Sequence, residues 1–358
     1  MRVLVLWADD ASPNLGVRAL GRGTAALVHQ AWPEAEITFQ NYGHRAPELP
    51  FGRLRSLAAE RLTSRLGMQR WLAEFSLVVD TRSGDSFSDI YGLHRLAVMS
   101  AVSELACQAG VPAVLGPQTI GPFATRRGRL MARNSLRRAR LIMARDPESA
   151  RQAADLGHPV HVLTTDVVFT LPVPVVERTR DLILNISGLL WQENPHVSAE
   201  RYRDVVTRLH HQLVASGRRV TLLSHVVDSP SSDNDVRAIA EFTRANAPDV
   251  EVVIPDGLDQ VRSVLASANA VVGSRMHACL NALSVGTPAV PLAYSRKFEP
   301  LLRSLAWEHT VDLREGRDPV PAVLRELESD HLQEDLVGVL GRARHSLALA
   351  GRVLAGAL

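Results

Sequence analysis

Short runs of Val, Leu and Ile alternate with longer amphipathic stretches along the first half of the chain. A continuous apolar run indicates a buried strand, and apolar positions at helical spacing indicate a surface helix. The runs predict strands over residues 2–7, 36–40, 76–81, 112–117, 140–145 and 160–166. The stretches between them predict helices over residues 17–31, 94–109, 125–138 and 147–156. This alternation is that of a parallel sheet with helices on both faces.

The same alternation starts again after the Pro- and Val-rich segment "FTLPVPVVERTR", residues 169–180, which we interpret as a linker. Strands are predicted over 181–187, 219–225, 250–255, 269–275 and 288–294, with helices over 198–216, 233–247, 258–268 and 276–285. The sequence therefore predicts an α/β protein of two Rossmann-like doubly wound domains that face across a cleft.

We expect domains over residues 1–172 and 180–330, followed by a C-terminal helix at 331–358 that packs back on the domains. The apolar face of this helix favours packing in the core, and a membrane-surface role is the alternative. In doubly wound sheets, ligands bind at the carboxyl ends of the strands. Polar residues that directly follow predicted strands are therefore the candidates for a functional site.

Composition narrows the classes of protein that fit. The chain has 358 residues and a net charge of only +2, which gives no strong case for nucleic-acid binding. Its two cysteines form no CxxC pair, and the apolar run at the N-terminus is too short for a signal peptide. No apolar run approaches the length of a membrane-spanning helix. We expect a reduced, cytoplasmic protein.

The stretch "SRMHACLNALSVGTPAVPLAYSRKF", residues 274–298, contains the only lysine of the chain, Lys297. Arg275 and His277 lie where a buried strand gives way to a helix, and Lys297 follows the next strand. A helix N-terminus favours acidic side chains or a bound anion, so cationic side chains there indicate a ligand. The structural alternative is a solvent-facing Arg275, a satisfied helical His277 and a lysine retained by accident.

Other loops follow strands in the same way. "DDASPNLGVRALGRG" contains Asn14, Gly16 and Arg18, but its glycines have neither the GxGxxG nor the P-loop spacing. "DTRSGDSFSDIYG" offers Asp85 and Asp89 as acceptors. The remaining strand-end candidates are Gln118, Arg145, Asp166 and His225. We interpret Asp146 as a helix N-cap, and we find no His, Cys and Asp grouping with metal-ligand spacing.

The segment "TRRGRLMARNSLRRAR", residues 125–140, is strongly basic. A solvated helix face is the usual explanation for such a segment. Contact with an acidic acceptor or with a membrane surface is the alternative.

Together these motifs resemble the polysaccharide pyruvyl transferase family. The resemblance rests on Asn14-Leu15-Gly16, on Ser83-Gly84-Asp85 with Asp89, and on the stretches "GPQTIGPF", "ARDPESARQAADLG", "TTDVVF" and "LLSH". It rests above all on residues 274–298, with Arg-Met-His, then Gly-Thr-Pro, then Tyr294 and Lys297. The matches span roughly residues 1–300.

The resemblance implies a glycosyltransferase-B-like fold and transfer of pyruvate from phosphoenolpyruvate onto a sugar diol as a cyclic ketal. The first domain would hold the acceptor, and the second would hold phosphoenolpyruvate as donor substrate. Carbohydrate or a lipid-linked glycan is the expected acceptor, with peripheral contact to the inner face of a membrane as an option. No cofactor and no metal are expected. The rivals are a nucleotide-sugar glycosyltransferase on the same fold and a non-catalytic glycan- or partner-binding protein.

The chemistry assigns roles to the candidate residues. His277 would act as the acid, because histidine titrates near neutrality. Arg275, Lys297 and the helix N-terminus would bind the carboxylate and phosphate, with Arg145 as a further candidate. Asp85 or Asp89 would orient or deprotonate the acceptor hydroxyl. The other candidate substrate-binding residues are Ser274, Asn14, Gly16, Gln118, His225 and Tyr294.

Overall fold

The structure, a computed structural model, describes residues 1–41, 49–229 and 233–358. The chain divides into two compact units. The first unit contains Met1–Asp10, Leu20–Thr170 and Ala343–Leu358, and the second contains Ala11–Ala19 and Leu171–Arg342. The segment 11–19 therefore belongs with the second unit, although it lies between two parts of the first.

The first unit is built on a six-stranded sheet in which all neighbouring strands are parallel. Its strands are β1 (Arg2–Leu6), β2 (Glu36–Gln40), β3 (Leu77–Asp80), β4 (Ala113–Gln118), β5 (Leu141–Ala144) and β6 (Val162–Leu163). Their spatial order is β2-β1-β3-β4-β5-β6. The chain changes direction across the sheet between β1 and β3, which makes the ends of these strands a crevice suited to a ligand.

Helices cover both faces of this sheet, because its apolar side chains point alternately to each face. The helices of this part of the chain are α1 (Leu15–Ala31), α2 (Leu54–Thr63), α3 (Met68–Leu72), α4 (Leu93–Gln108), α5 (Arg126–Arg138) and α6 (Pro147–Asp155). On one face Leu27 of α1 packs with Val5 and with Leu354, a residue of the C-terminal helix. On the other face α2 to α6 supply two further clusters of buried apolar residues.

The second unit contains another parallel six-stranded sheet. Its strands are β7 (Arg180–Asn185), β8 (Val220–Leu223), β9 (Glu251–Val253), β10 (Ala268–Gly273), β11 (Ala289–Ala293) and β12 (Val311–Asp312). The order β9-β8-β7-β10-β11-β12 is that of a Rossmann sheet, in which the switch point lies between the first and fourth strands, here β7 and β10.

The helices of the second half are α7 (Gly188–Trp191), α8 (Ala199–Ala215), α9 (Asp235–Asn246), α10 (Leu258–Ala266), α11 (Met276–Ser284), α12 (Phe298–Ser304), α13 (Val320–Leu327) and α14 (Leu332–Ala355). Each of α8, α9, α10 and α11 lies between two strands of the sheet along the chain. No helix in the described ranges is long and apolar enough to cross a membrane.

Most long elements lie where the hydrophobic pattern places them, and the short ones differ. The strand predicted over 160–166 shrinks to β6, because the residues on either side of it lie in loops, and a 3₁₀ turn follows over Val167–Thr170. The helices α2, α3, α7, α12 and α13 and the strand β12 were not predicted. These elements are one to three turns of helix or a two-residue strand, too short to show a clear period.

The structure ends its second unit at Arg342, within α14, where the sequence places a boundary at 330. The segment Ala343–Leu358 clusters with the first unit. Its apolar residues Ala350, Leu354 and Ala357 complete one core cluster of the first sheet.

Candidate functional site

Polar residues of the second unit gather at the carboxyl ends of β7, β8, β10 and β11. Asn185 ends β7 and residues 186–188 follow it, His225 follows β8, residues 274–277 follow β10, and residues 294–297 follow β11. The strand order places β7 and β10 side by side at the switch point. Ligands of doubly wound sheets bind outside the carboxyl ends of the strands at this position.

The turn from β10 into α11 is fixed by Asn185 at the end of β7. Asn185 Oδ1 accepts a hydrogen bond from the backbone N–H of Arg275 at 3.0 Å, and its Nδ2 donates to the carbonyl of Leu223 at 2.9 Å. Gly273 leaves room for Cys279 of α11 at the end of β10, because an added Cβ would crowd Cys279 Sγ at 2.7 Å. The geometry of residues 273–277 is thus set by the neighbouring strand.

Arg275 is buried and ion-paired, so it neither points to solvent nor presents a free cation. Its Nε and Nη2 donate to Asp235 Oδ1 at 3.0 and 2.5 Å, and Nη2 lies 2.5 Å from Asp233 Oδ1. Burial opposes the charge, but the two carboxylates outweigh it and raise the pKa of Arg275 above its usual value. Its Nη1 makes no hydrogen bond within the described ranges.

Asp235 is a fully buried carboxylate that joins three strand ends. Besides Arg275, its oxygens accept backbone hydrogen bonds from Gly188 at 2.8 Å and from His225 and Val226 at 2.9 Å. These residues follow β7 and β8, and Arg275 follows β10. Asp235 therefore holds the loops around the switch point together. The sequence analysis did not single it out.

Ser274 is fully buried beneath the turn. Tyr202 of α8 donates from its hydroxyl to Ser274 Oγ at 2.7 Å and accepts from the backbone N–H of Ser187 at 2.9 Å. Burial raises the pKa of the Tyr202 hydroxyl. The Ser274 hydroxyl thus binds Tyr202, and a substrate role for Ser274 stays a prediction.

His277 lies in the first turn of α11 against the start of α1. The segment 11–19 joins the second unit through an antiparallel bridge between Asn14 and Val226 and through a 3.1 Å bond from the Leu15 N–H to the His225 carbonyl. Asn14 Oδ1 caps the helix by accepting from the Gly16 N–H at 2.9 Å. An added Cβ on Gly16 would lie 2.8 Å from His277 Nδ1. The structure thus brings Asn14, Gly16 and His277 together.

His225 is buried behind this turn. Its Nε2 lies 3.2 Å from Asn281 Nδ2, which also donates to the carbonyl of His277 at 2.8 Å. Arg262 donates to Asn281 Oδ1 at 2.9 Å, which fixes the amide so that Nδ2 is a donor and His225 Nε2 an acceptor. Burial, and then the charges of His277 and Arg275, hold the pKa of His225 well below its usual value. His225 is therefore neutral.

Lys297 and Tyr294 form a second group with His196, at the end of β11. The rings of His196 and Tyr294 lie 5.1 Å apart, and the Tyr294 ring also packs on Phe298 at 5.3 Å. Partial burial, and then the charge of Lys297, lower the pKa of His196. The sequence analysis missed His196, which lies in the loop before α8 rather than directly after a strand.

In the first unit, the two candidate acids have different surroundings. Asp85 accepts a 2.8 Å hydrogen bond from the Tyr91 hydroxyl. Asp89 accepts from the backbone N–H groups of Ala124 and Thr125 at 2.9 and 2.7 Å and from Thr125 Oγ1 at 2.7 Å. Burial would raise the pKa of Asp89, but these hydrogen bonds together lower it. Both oxygens of Asp89 therefore anchor the start of α5.

Arg145 lies in a buried ion pair at the end of β5. Its Nη1 donates to Asp166 at 2.7 Å, and its Nε donates to Thr119 Oγ1 at 3.0 Å. The next residue, Asp146, accepts from the Ser149 N–H at 2.8 Å, which confirms the predicted N-cap of α6. Gln118 is also fully buried, and its side-chain amide makes no hydrogen bond to any residue the structure describes.

The loop after β3 contains a strained turn that the sequence analysis did not predict. Arg82 and Ser83 adopt left-handed backbone angles, with φ of 47° and 52°. Arg82 is fully buried, donates to Asp80 at 2.7 Å and lies over the ring of Phe87 at 4.5 Å. Left-handed non-glycine residues of this kind concentrate at functional sites. The turn places Asp85 just outside the switch point of the first sheet.

The described residues contain no group of three or more His, Cys, Asp or Glu side chains that could hold a metal ion. The chemistry available to this set of residues is that of imidazole, carboxylate, ammonium and guanidinium groups.

Comparisons with known proteins agree with this architecture. A UDP-GlcNAc 2-epimerase from Methanocaldococcus jannaschii superimposes with a TM-score of 0.58 at 9% identity, covering 99% of both chains. The MnaA protein of S. aureus with UDP superimposes with a TM-score of 0.62 at 12% identity, covering 99% of this chain and 94% of that one. The HepE protein of Anabaena with UDP-glucose superimposes with a TM-score of 0.55 at 11% identity, covering 99% of this chain and 98% of that one. These similarities confirm the predicted fold class of two Rossmann-like domains.

No curated protein matches the sequence. The family model for polysaccharide pyruvyl transferase matches residues 14–296, from the cap of α1 to the residue before Lys297. This match covers well over half of the chain and includes Gly16, Asp235, Arg275 and His277. The chain therefore belongs to the polysaccharide pyruvyl transferase family.

Proposed function

We propose that the protein transfers pyruvate from phosphoenolpyruvate to a sugar diol of a glycan or glycoconjugate and forms a cyclic pyruvate ketal. One observation carries the proposal beyond family membership. An imidazole, His277, is held at the start of α11 by contact with Gly16, at the switch point of the second sheet. The chain's only lysine follows the adjacent strand. An acid and a cation at the ends of two adjacent strands match a donor that must be protonated and that carries two anionic groups.

The reaction balances with groups of this kind. A proton is added to C3 of phosphoenolpyruvate, and the first sugar hydroxyl bonds to C2 while it loses its own proton. The C2–O bond to phosphate then breaks, and the phosphate leaves with the electron pair. The second hydroxyl bonds to C2, loses its proton and closes the ketal. The products are the ketal and inorganic phosphate.

We assign proton donation to C3 to His277 and binding of the donor anions to Lys297. Arg275 serves chiefly to hold the turn in place, since its Nε and Nη2 are bound to Asp235 and Asp233. Only its Nη1 is left to contact an oxygen of phosphoenolpyruvate. We assign the acceptor hydroxyl to Asp85 rather than Asp89, because both oxygens of Asp89 bind the start of α5. Arg145 is paired with the buried Asp166, so we assign it a role in positioning the loop after β5 rather than in binding an anion.

Thermal stabilisation by ligands tests the donor. A ligand that binds the folded state raises its melting temperature. We expect phosphoenolpyruvate, but neither UDP nor GDP, to stabilise the wild type, and we expect Lys297→Arg to lose most of that shift. Arg296→Lys is the matched control, because it makes the reverse exchange at the exposed neighbouring position. Stabilisation by a nucleotide alone would instead indicate a nucleotide-sugar glycosyltransferase.

Phosphate release tests the chemistry. With a panel of diol-containing sugars, we expect phosphoenolpyruvate-dependent release of phosphate that falls about 100-fold or more in His277→Gln, the usual range for loss of a general acid. The variant should still be stabilised by phosphoenolpyruvate. His211→Gln, at an exposed position on α8, serves as the matched control and should keep full activity. Equal activity in the two variants would refute the role of His277.

A further inference from the structure

The outer face of helix α5 is more basic than any stability requirement explains. The helix, "RRGRLMARNSLRR", contains six arginines and no acidic residue. Its inner face packs on the sheet through Gly128, Ala132 and Leu136. Surface helices usually interleave both signs of charge, since opposite charges three or four residues apart stabilise them and like charges at this spacing destabilise them. Such a concentration of one sign indicates an anionic partner.

Four residues form a continuous stripe on the solvent side of α5, which we call the basic face: Arg126, Leu130, Arg133 and Arg137. Their spacing of four, three and four residues places them one above another. In the described part of the chain, none of these three arginines pairs with a carboxylate. The nearby Arg138, outside the stripe, pairs with Glu104 at 3.1 Å. The basic face therefore presents uncompensated positive charge.

The basic face also contains exposed apolar surface. Leu130, at its centre, is 70% exposed. Ile90 and Tyr91 are 56% and 46% exposed, and they directly follow Asp89, whose carboxylate holds the loop to Thr125 at the start of α5. Large apolar side chains surrounded by arginines suit the boundary of a lipid bilayer, where the apolar group enters the acyl region and guanidinium groups meet phosphates.

We propose that the basic face docks the protein on an anionic phospholipid bilayer. Each arginine near such a surface contributes through attraction to the lipid phosphates, and Leu130 adds burial of apolar area. A soluble polyanion would use the same arginines but would gain little from Leu130. A lipid surface is therefore the partner that accounts for both the arginines and the exposed Leu130. This inference is independent of the reaction proposed above.

Vesicle flotation of the full chain tests the proposal. We compare vesicles of phosphatidylcholine alone with vesicles in which a third of the lipid is phosphatidylglycerol. We expect binding only to the anionic vesicles, and weaker binding when salt rises from about 0.15 M to about 0.5 M, because the screening length shortens. The double variant Arg126→Glu, Arg133→Glu should bind the anionic vesicles with an affinity at least about tenfold lower. Glutamate at position 126, in the first turn, suits the helix dipole, and position 133 is exposed, so folding should be preserved.

Two further variants distinguish a lipid surface from a soluble polyanion as the partner of the basic face. Arg344→Glu with Arg352→Glu makes the same change of net charge on exposed positions of α14, whose residues pack on the opposite face of the first sheet, and should leave vesicle binding unchanged. Leu130→Ser should weaken binding to anionic vesicles but not to a heparin column. No binding of the wild type to anionic vesicles would overturn the proposal, as would equal loss in both double variants. A Leu130→Ser variant that binds vesicles like the wild type would point to a soluble polyanion instead.

Discussion

Gly16 lies against His277 so closely that the first helix has no room for a side chain there. A Cβ on Gly16 would lie 2.8 Å from Nδ1, 2.9 Å from Cγ and 3.0 Å from Cβ of His277. The last of these atoms is next to the backbone of α11 and cannot rotate away. The start of α1 therefore limits where the imidazole can lie.

We expect Gly16→Ala to displace the His277 ring and to lower kcat about tenfold to hundredfold, since small misplacements of a reacting group are costly. The free energy of unfolding should fall by no more than about 2 kcal/mol, because crowding costs about 1–3 kcal/mol and the better helix propensity of alanine returns about 1 kcal/mol. Phosphate release and urea denaturation measure the two effects. Gly341→Ala, a helical position with open space around it, is the matched control and should only stabilise. Unchanged kcat in Gly16→Ala would contradict the contact.

Asp235→Asn should strongly destabilise the second unit. The substitution leaves the buried Arg275 guanidinium facing a neutral amide. It also replaces one carboxylate oxygen by an NH2 group that cannot accept, so either the Gly188 N–H or the His225 and Val226 N–H groups lose their acceptor. Removing one partner of a buried ion pair costs about 3–5 kcal/mol. The urea midpoint measures the loss. Asp204→Asn, in an exposed pair with Arg208, should cost less than about 0.5 kcal/mol. Similar midpoints for the two variants would show that the Asp235 network adds no stability.

His225 should make the protein less stable as the pH falls. Its native pKa lies well below 6.5, so below that pH the unfolded chain binds a proton that the native state does not. The free energy of unfolding then falls with decreasing pH by up to about 1.4 kcal/mol per unit from this residue, until the native pKa is reached. Urea denaturation between pH 7 and about 5 measures the slope. His225→Gln should reduce the slope. An unchanged slope in His225→Gln would rule out a neutral native His225.

Removing the charge of Lys297 should raise the pKa of His196. The ammonium lowers that pKa at present, and partial burial will keep it below the usual value even in Lys297→Gln. Titration of the imidazole by NMR measures the change. Arg296→Gln removes a neighbouring exposed charge and should shift the pKa less. A His196 pKa that is the same in the wild type and in Lys297→Gln would place the lysine away from the ring.

The turn around Arg275 and His277 could be predicted because its signal is local. A buried run, a small Gly-Ser pair and an amphipathic stretch place the end of β10 within two residues of where the structure has it, and they place the start of α11 at the observed residue. The strand order then follows from the alternation of strands and helices, which permits few arrangements of a parallel sheet. Local pattern therefore located the candidate acid.

The residues that position this turn were missed because their role is visible only in three dimensions. Asp235 lies forty positions from Arg275 in sequence, and Tyr202 lies seventy-two from Ser274. In sequence, Asn234-Asp235 is explained by an N-cap and an acidic first turn, which the structure also contains. A local explanation that is sufficient gives no reason to look for a distant partner. Arg145 and Asp166 were both candidates, but their pairing was not predicted, because it depends on β5 and β6 lying side by side.

The exchange of segments between the two units has a consequence for synthesis on the ribosome. The first unit begins with β1 but needs residues 343–358 to cover one face of its sheet, so its core stays open while the whole second unit is made. The second unit needs residues 11–19, which leave the ribosome long before its own strands. Domains usually fold in turn, from the N-terminus onward, as they emerge. Here the segments of the two units are interleaved along the chain, and the first unit cannot be completed until residues 343–358 have been translated, after the whole of the second.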